Sequence, residues 1–230
     1  MKIYQVISKA YYLPRAKNII EAGCSSPGMI ESVGWINNGS CVCLVEPNPV
    51  IFRSLLKTFS NKKNVSLINC ALSDKTGQTK LLFNNKYHGW GYTDFSESND
   101  MKLSRINRLS AAKVDAKTYD QLQKDLDIVF DIFIMDVEGS EDIILKQMKD
   151  QEQTRLPKVL CIECGYEWEK RKALVKNLGY NLDFYFFNNA YFSLDNSFKK
   201  NTNIIDSYNQ RWKQWSYRNR IIYTNEKSND

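Results

Sequence analysis

Three short segments hold the residue types that could do chemistry, and their order is informative. Glu21-Ala22-Gly23-Cys24-Ser25-Ser26-Pro27-Gly28 comes first, Val45-Glu46-Pro47-Asn48-Pro49 second, and Asp136-Val137-Glu138-Gly139-Ser140-Glu141 third. Each follows a short β-like run and precedes a helix-like stretch. Such strand ends are where an open parallel sheet binds its ligand. Gly23 allows backbone curvature that a side chain would block. Backbone N–H groups at the helix start that follows can face a polar ligand. Glu46 stands 23 residues after Gly23, close to the ~20 of a nucleoside-binding unit, where a carboxylate accepts the hydroxyls of a ribose. A lone glycine turn also arises for steric reasons alone, and a glutamate before Pro-Asn-Pro can be a surface residue. Taken together, the two favour ribose binding.

What is absent narrows the ligand. A dinucleotide fingerprint needs G-x-G-x-x-G, whereas Gly23 is followed only by Gly28, and no Walker lysine is present. NAD and ATP are disfavoured. A phosphate-free nucleoside such as S-adenosylmethionine asks less of this turn.

The elements that must position these residues read as an alternating α/β chain. Strands are expected at 17–22, 40–46, 64–70, 78–83, 129–136 and 157–163. Helices are expected at 28–37, with Pro27 at the start, and at 118–126, 140–149 and 167–178, the last ending at Gly179. Residues 49–60 place Phe52, Leu55, Leu56 and Phe59 on one helical stripe. Glu141 and Asp142 suit the dipole of a helix start. Residues 180–187 and 190–194 read as a closing hairpin around Asn188-Asn189, and residues 84–113 as a long loop. A doubly wound, mostly parallel sheet with an antiparallel C-terminal hairpin fits this order.

The 230 residues suit one α/β domain, with 43% hydrophobic residues for its core. No signal peptide or membrane-length apolar run is visible, so the expected compartment is cytoplasmic. The six cysteines form no metal pattern, and Cys41 and Cys43, two apart on a strand, should face one side. No metal site is expected. The net charge of +6 is uneven: residues 199–220 carry six basic residues and one acid.

The segments from Val45 to Leu56, from Val65 to Phe83, from Val114 to Leu122 and from Asp131 to Leu145 resemble the FkbM-type S-adenosylmethionine-dependent methyltransferases. The similarity runs from about Ile19 to about Glu163. It departs from the family in the Gly23 to Gly28 spacing and has no counterpart after Asn196. The resemblance implies a Rossmann-like methyltransferase fold, S-adenosylmethionine as cofactor, and O-methyl transfer to a sugar or natural-product hydroxyl. It also implies that Glu21, Gly23 and Cys24 border the methionine part. Glu46, with Pro47 and Asn48, would hold the ribose. Cys70 and Ala71 would lie near the adenine, and Asp136 near the amino group or reacting methyl.

Asp136, Glu138 and His88 are the candidate proton acceptors. His88, the single histidine, can be a base, a substrate contact or a solvated loop residue. Asp136 and Glu138, two apart at a strand end, can point to one side, and Glu138 can equally be a helix-start acid. Trp90 and Tyr92 could shape the acceptor pocket.

The expected organisation is a methyltransferase domain over 1–196, with 84–113 as a substrate loop, and a basic aromatic helical extension over 197–230. In that extension Ile205, Tyr208, Trp212, Trp215 and Ile222 form one helical stripe flanked by Arg211, Lys213, Arg218 and Arg220. The stripe can pack on its own domain or on a second copy. The basic flank can instead face nucleic acid, an anionic membrane or an acidic glycan. The favoured partner is a small-molecule or glycan acceptor. An RNA or protein methyltransferase, or a non-catalytic adaptor on the same scaffold, is the alternative.

Overall fold

In the computed structural model, neighbouring residues of the central strands go to opposite faces of one sheet. Ile19, Val42, Ile132 and Cys161 enter one buried cluster, while Ile20, Cys43, Phe133 and Leu160 enter the other. A period-2 backbone with apolar residues at both parities must be covered on both faces. The structure describes residues 2–12, 16–84, 91–93, 109–164, 168–194 and 199–218. His88 and Trp90 lie outside them.

The main sheet contains β1 (Asn18–Ala22), β2 (Cys41–Val45), β3 (Val65–Ile68), β8 (Ile132–Met135), β9 (Val159–Glu163), β10 (Tyr180–Phe186) and β11 (Asn189–Leu194). Its order is β10-β11-β9-β8-β1-β2-β3, and only β11 runs against the rest. This is the Rossmann-like architecture expected from the sequence. The chain leaves β1 towards β2 on one side and returns to β8 on the other, which puts a topological switch point beside β1.

The intermediate elements differ from the sequence reading in several places. A helix Ile3–Ala10 buries Ile3, Val6, Ile7 and Ala10, a spacing of one helical face that was not assigned. The helix expected over 28–37 is confined to Val33–Asn37. Residues 26–29 form a turn instead, closed by the Met29 N–H donating to the Ser26 carbonyl. The helix Pro49–Phe59 starts on its Asn48 cap but buries Ile51, Leu55 and Phe59 at strict fourth-residue spacing. Leu56 is exposed. Cys41 is exposed and Cys43 buried, because Cys41 is the outermost residue of β2.

The strand beginning at Gly77 does not meet β3. It belongs to a second sheet of order β4-β7-β5-β6, made of β4 (Ala71–Leu72), β5 (Gly77–Asn84), β6 (Gly91–Thr93) and β7 (Leu109–Lys117). The expected loop over 84–113 therefore contains β6 and the first half of β7. The Ala- and Lys-rich β7 lacks a strong β signal of its own and forms through its eight-residue antiparallel register with β5. The closing hairpin is present, with its turn at Phe187-Asn188, one residue earlier than expected.

The C-terminal helix Thr202–Arg218 lies on its own sheet. Ile205 and Tyr208 are buried. Tyr208 packs on Phe184 and Phe186 at 5.3 and 5.0 Å, and Trp212 stacks on Tyr185 at 5.2 Å. Burying Ile205 and Tyr208 is worth about 1.5–3 kcal/mol each. Deleting residues 199–230 is expected to lower the melting temperature by roughly 6–24 °C, since each kcal/mol shifts a domain of this size by ~2–4 °C. Differential scanning calorimetry checks this, and an unchanged Tm would show the helix to be dispensable. Among the described residues no helix is long and apolar enough to cross a membrane.

Candidate active site

A cleft of about 370 Å³ opens at the carboxyl ends of β1, β2 and β8. The candidate cofactor-binding and catalytic residues that the structure describes all line it; His88 lies outside the described residues. Glu21 comes from the end of β1 and Gly23 and Cys24 from the turn after it, Glu46, Pro47 and Asn48 from the turn after β2, Cys70 and Ala71 from the entry to β4, and Asp136 and Glu138 from the loop after β8. Parallel register brings them together: Ala22 pairs with Val45 on one side and Met135 on the other. Gly23 then turns with φ +81°. A β-carbon there would lie 1.6 Å from the Asp136 carbonyl oxygen. The glycine is thus required by the close approach of two strand ends. Gly28 has open space around it and no such constraint.

Glu46 is 4% exposed. Its Oε1 accepts the Asn48 N–H at 2.7 Å and its Oε2 accepts the Ser25 N–H at 3.2 Å. Among the described residues no cation pairs with it. Burial pushes its pKa up to about 7, against the two backbone donors, which pull it down. Each oxygen retains acceptor capacity beyond its one backbone bond. A buried carboxylate in that condition calls for further donors.

Glu21 is held differently. Its Oε1 accepts the Glu31 N–H at 3.0 Å, and its Oε2 accepts both the Ser32 N–H and the Ser32 hydroxyl, at 2.8 and 2.5 Å. The N–H groups before the helix Val33–Asn37 are therefore bonded by the protein itself. Glu31 in turn accepts the Ile3 N–H at 2.9 Å, which ties the N-terminal helix to the cleft. Burial also raises Glu21 to about 7.

These two raised values fix a sign for stability. A carboxyl whose folded pKa exceeds its unfolded value stabilises the fold below the unfolded value, and that contribution is lost as pH rises through the folded one. For Glu46 the window runs from about 4.5 to about 7 and carries up to about 3 kcal/mol. The Glu46→Gln variant lacks this term. Its stability relative to wild type, from urea unfolding without ligand, is expected to improve by up to that amount between pH 5 and pH 8. A pH-independent difference would contradict the assignment.

Asp136 and Glu138 both face the cleft, though not by strand alternation. The strand ends at Met135, and Glu138 is turned inward by a left-handed backbone of φ +53°. The walls of the cleft raise the pKa of Asp136 well above the usual carboxylate value, with Glu163, Glu138, Glu141 and Glu21 adding repulsion. Asp136 still opens onto solvent in the cleft, so the neighbouring carboxylates are the firmer cause. Glu141 and Asp142 do more than complement a helix dipole. Both are buried, and Arg171 pairs with them at 3.0 Å each.

Sequence reasoning did not single out Ile3, Ser25, Met29, Glu31, Asn188 or Asn189, which also line the cleft. Ile3 had a findable signal in the helical spacing of its neighbours. Asn188 and Asn189 reach the cleft only because β11 folds back beside β9, which local sequence does not show.

The lining contains Glu21, Glu31, Glu46, Asp136 and Glu138 and, among the described residues, no Lys, Arg or His. A pyrophosphate would meet like charge there. An adenosyl group carried on a cationic sulfonium meets a carboxylate for its ribose and negative charge for its cation, so the residues fit S-adenosylmethionine.

Comparison with known proteins agrees with this chemistry. The Methyltransferase FkbM domain matches residues 31–204. The match begins after the Gly23 turn and runs into the C-terminal helix, further than the resemblance read from the sequence. No curated protein matches the chain. Solved structures that it resembles include monomeric WbdD, at 12% identity and a TM-score of 0.44, covering 86% of this chain and 41% of that one. A precorrin-6y C5,15-methyltransferase from Geobacter metallireducens GS-15 is 13% identical at a TM-score of 0.42, covering 82% and 85%. A fibrillarin pre-rRNA processing protein from Methanococcus jannaschii is 14% identical at 0.40, covering 77% and 65%. The chain thus spans about two fifths of the WbdD chain. With the domain matched over well more than half its length, the chain belongs to the FkbM methyltransferase family.

Proposed function

We propose that this chain transfers a methyl group from S-adenosylmethionine to a hydroxyl of a sugar or glycan. The observation that carries the reading is Glu46: a buried carboxylate at the end of β2, held by two backbone N–H groups, unpaired with any cation among the described residues, and facing the cleft. It suits the two hydroxyls of a ribose. Cys70 and Ala71, beside it, offer an apolar wall for adenine.

S-adenosylmethionine supplies a methyl group that is already electrophilic. The protein has to align an acceptor oxygen and remove its proton. Alignment can be worth about 7–11 kcal/mol in the best cases. Asp136 is the group placed to take the proton, since its raised pKa makes it a better base than an ordinary aspartate. Asn188, Asn189 and Glu138 give the wall hydrogen-bonding groups, and Met29, 61% exposed, gives it an apolar face. A sugar ring presents both kinds of surface. The tail helix packs Tyr208 and Trp212 on β10, which favours a role within its own domain over a nucleic-acid arm.

The test is transfer of labelled methyl from S-adenosylmethionine to a panel of neutral sugars, nucleotide sugars, RNA and protein. Label is expected on a sugar hydroxyl, with turnover rising as Asp136 loses its proton. Asp136→Asn should lower kcat by about 10²–10⁴-fold. Label on an amine or on RNA would overturn the sugar reading. An undiminished Asp136→Asn variant would remove Asp136 as the base.

A further inference from the structure

We propose that Arg171 is a positioning residue for the methyl-transfer site, clamping together the ends of β8 and β9 that carry Asp136 and Glu163. The placement of Asp136 at the reaction rests on the function proposed above; the clamp itself rests on contacts in the fold.

Met135 pairs with Ile162 in parallel register. Asp136, the first residue after β8, and Glu163, the last residue of β9, therefore stand side by side. Two carboxylates so placed repel each other, and Glu163 is the foremost charge acting on Asp136. Left to itself, this pair would push the strand ends apart.

Arg171 comes from the helix Trp168–Asn177 and is 5% exposed. Its guanidinium spans both ends. One terminal nitrogen donates to the backbone carbonyl of Glu163 at 3.0 Å. The other meets Glu141 Oε2 at 3.0 Å, and Nε donates to Asp142 Oδ1 at 3.0 Å. Glu141 extends the grip to the loop after β8: its two oxygens accept the N–H groups of Val137 and Gly139, each at 3.0 Å. Those N–H groups converge on one carboxylate because Glu138 between them is left-handed and Gly139 has φ +105°. On the far side, Asn188 donates to Glu163 Oε1 at 2.7 Å, and its carbonyl accepts the Cys164 N–H at 2.6 Å. The backbone conformation that turns Glu138 into the cleft is thus fastened to Arg171 through Glu141. The planar fork presents three separated nitrogens to three acceptors on two elements, where a lysine offers a single nitrogen.

A buried ion pair that served the fold alone would leave the site unchanged when weakened. Amide hydrogen exchange and ligand affinity separate the two roles. Glu141→Gln is nearly isosteric but turns one acceptor into a donor facing a backbone N–H. Arg171→Lys keeps the charge and loses the fork. Both are measured at a temperature where circular dichroism shows them folded. In Glu141→Gln the amides of Val137 and Gly139 are expected to exchange at least about tenfold faster. The Kd for S-adenosylmethionine, by calorimetry, is expected to rise about ten- to a hundredfold in both variants. Unchanged exchange at the two amides in Glu141→Gln, or a wild-type Kd in Arg171→Lys, would overturn the proposal. Failure of the wild-type protein to bind S-adenosylmethionine would instead sink the cofactor reading, and the amide exchange would still decide the clamp.

Discussion

Replacing Glu46 with alanine is expected to weaken S-adenosylmethionine binding by a factor of about 10² or more, because two hydrogen bonds to a charged acceptor are lost at ~1.5–3 kcal/mol each. The fold should tolerate the change better than the ligand does. The variant removes a carboxylate that burial already disfavours, and it frees only the Asn48 and Ser25 N–H groups. Calorimetric titration reads the loss directly. The same carboxylate gives the binding a pH dependence with a definite sign. Hydroxyl donors favour the ionised form, so ligand binding should release a proton below about pH 7. Affinity should then fall as pH drops from 8 to 5, and Glu46→Gln should abolish most of that slope. An alanine variant binding as tightly as wild type would mean that the ribose lies elsewhere.

Replacing Gly23 with alanine is expected to cost roughly 2–5 kcal/mol of stability. A left-handed backbone costs an L-residue about 1–2 kcal/mol, and overpacking adds about 1–3. The added β-carbon would sit 1.6 Å from the Asp136 carbonyl oxygen and 2.6 Å from its carbon. These are backbone atoms, which cannot swing aside as a flexible side chain could. The ends of β1 and β8 must separate, so binding should fall together with stability. Gly28→Ala is the control. Nothing lies within 4 Å of its β-carbon position, and the change should stay within about 0.5 kcal/mol. Urea unfolding of the two variants makes the comparison. Equal costs at the two positions would refute the close-approach argument.

The sequence revealed the parts of the site that depend on strand ends. Glu46 and Asp136 each follow a short apolar run, and a parallel sheet brings the carboxyl ends of such runs together. It did not reveal what those carboxylates bond. Glu21 lines the cleft, and its oxygens also accept from Glu31 and Ser32, ten and eleven residues onward. That bonding exists because the turn after Gly23 delays the helix to Val33, and neither Pro27 nor Gly28 signals the delay. Glu141 suited a helix dipole in sequence, but its partner Arg171 lies on the next helix, and no local pattern links the two. The strand Leu109–Lys117 escaped for a similar reason. Its residues have little β propensity, and it exists through its pairing with Gly77–Asn84. The helix Ile3–Ala10 was legible in its 3-and-4 spacing.

The most direct test of the account is a crystal structure of this chain with S-adenosylhomocysteine, the demethylated product. The account predicts the ligand at the ends of β1, β2 and β8, both ribose hydroxyls within hydrogen-bonding distance of the Glu46 carboxylate, and its amino-acid end beside Gly23 and Asp136. A ligand bound with its ribose away from Glu46, or a cleft that stays closed to it at saturating concentration, would contradict the account.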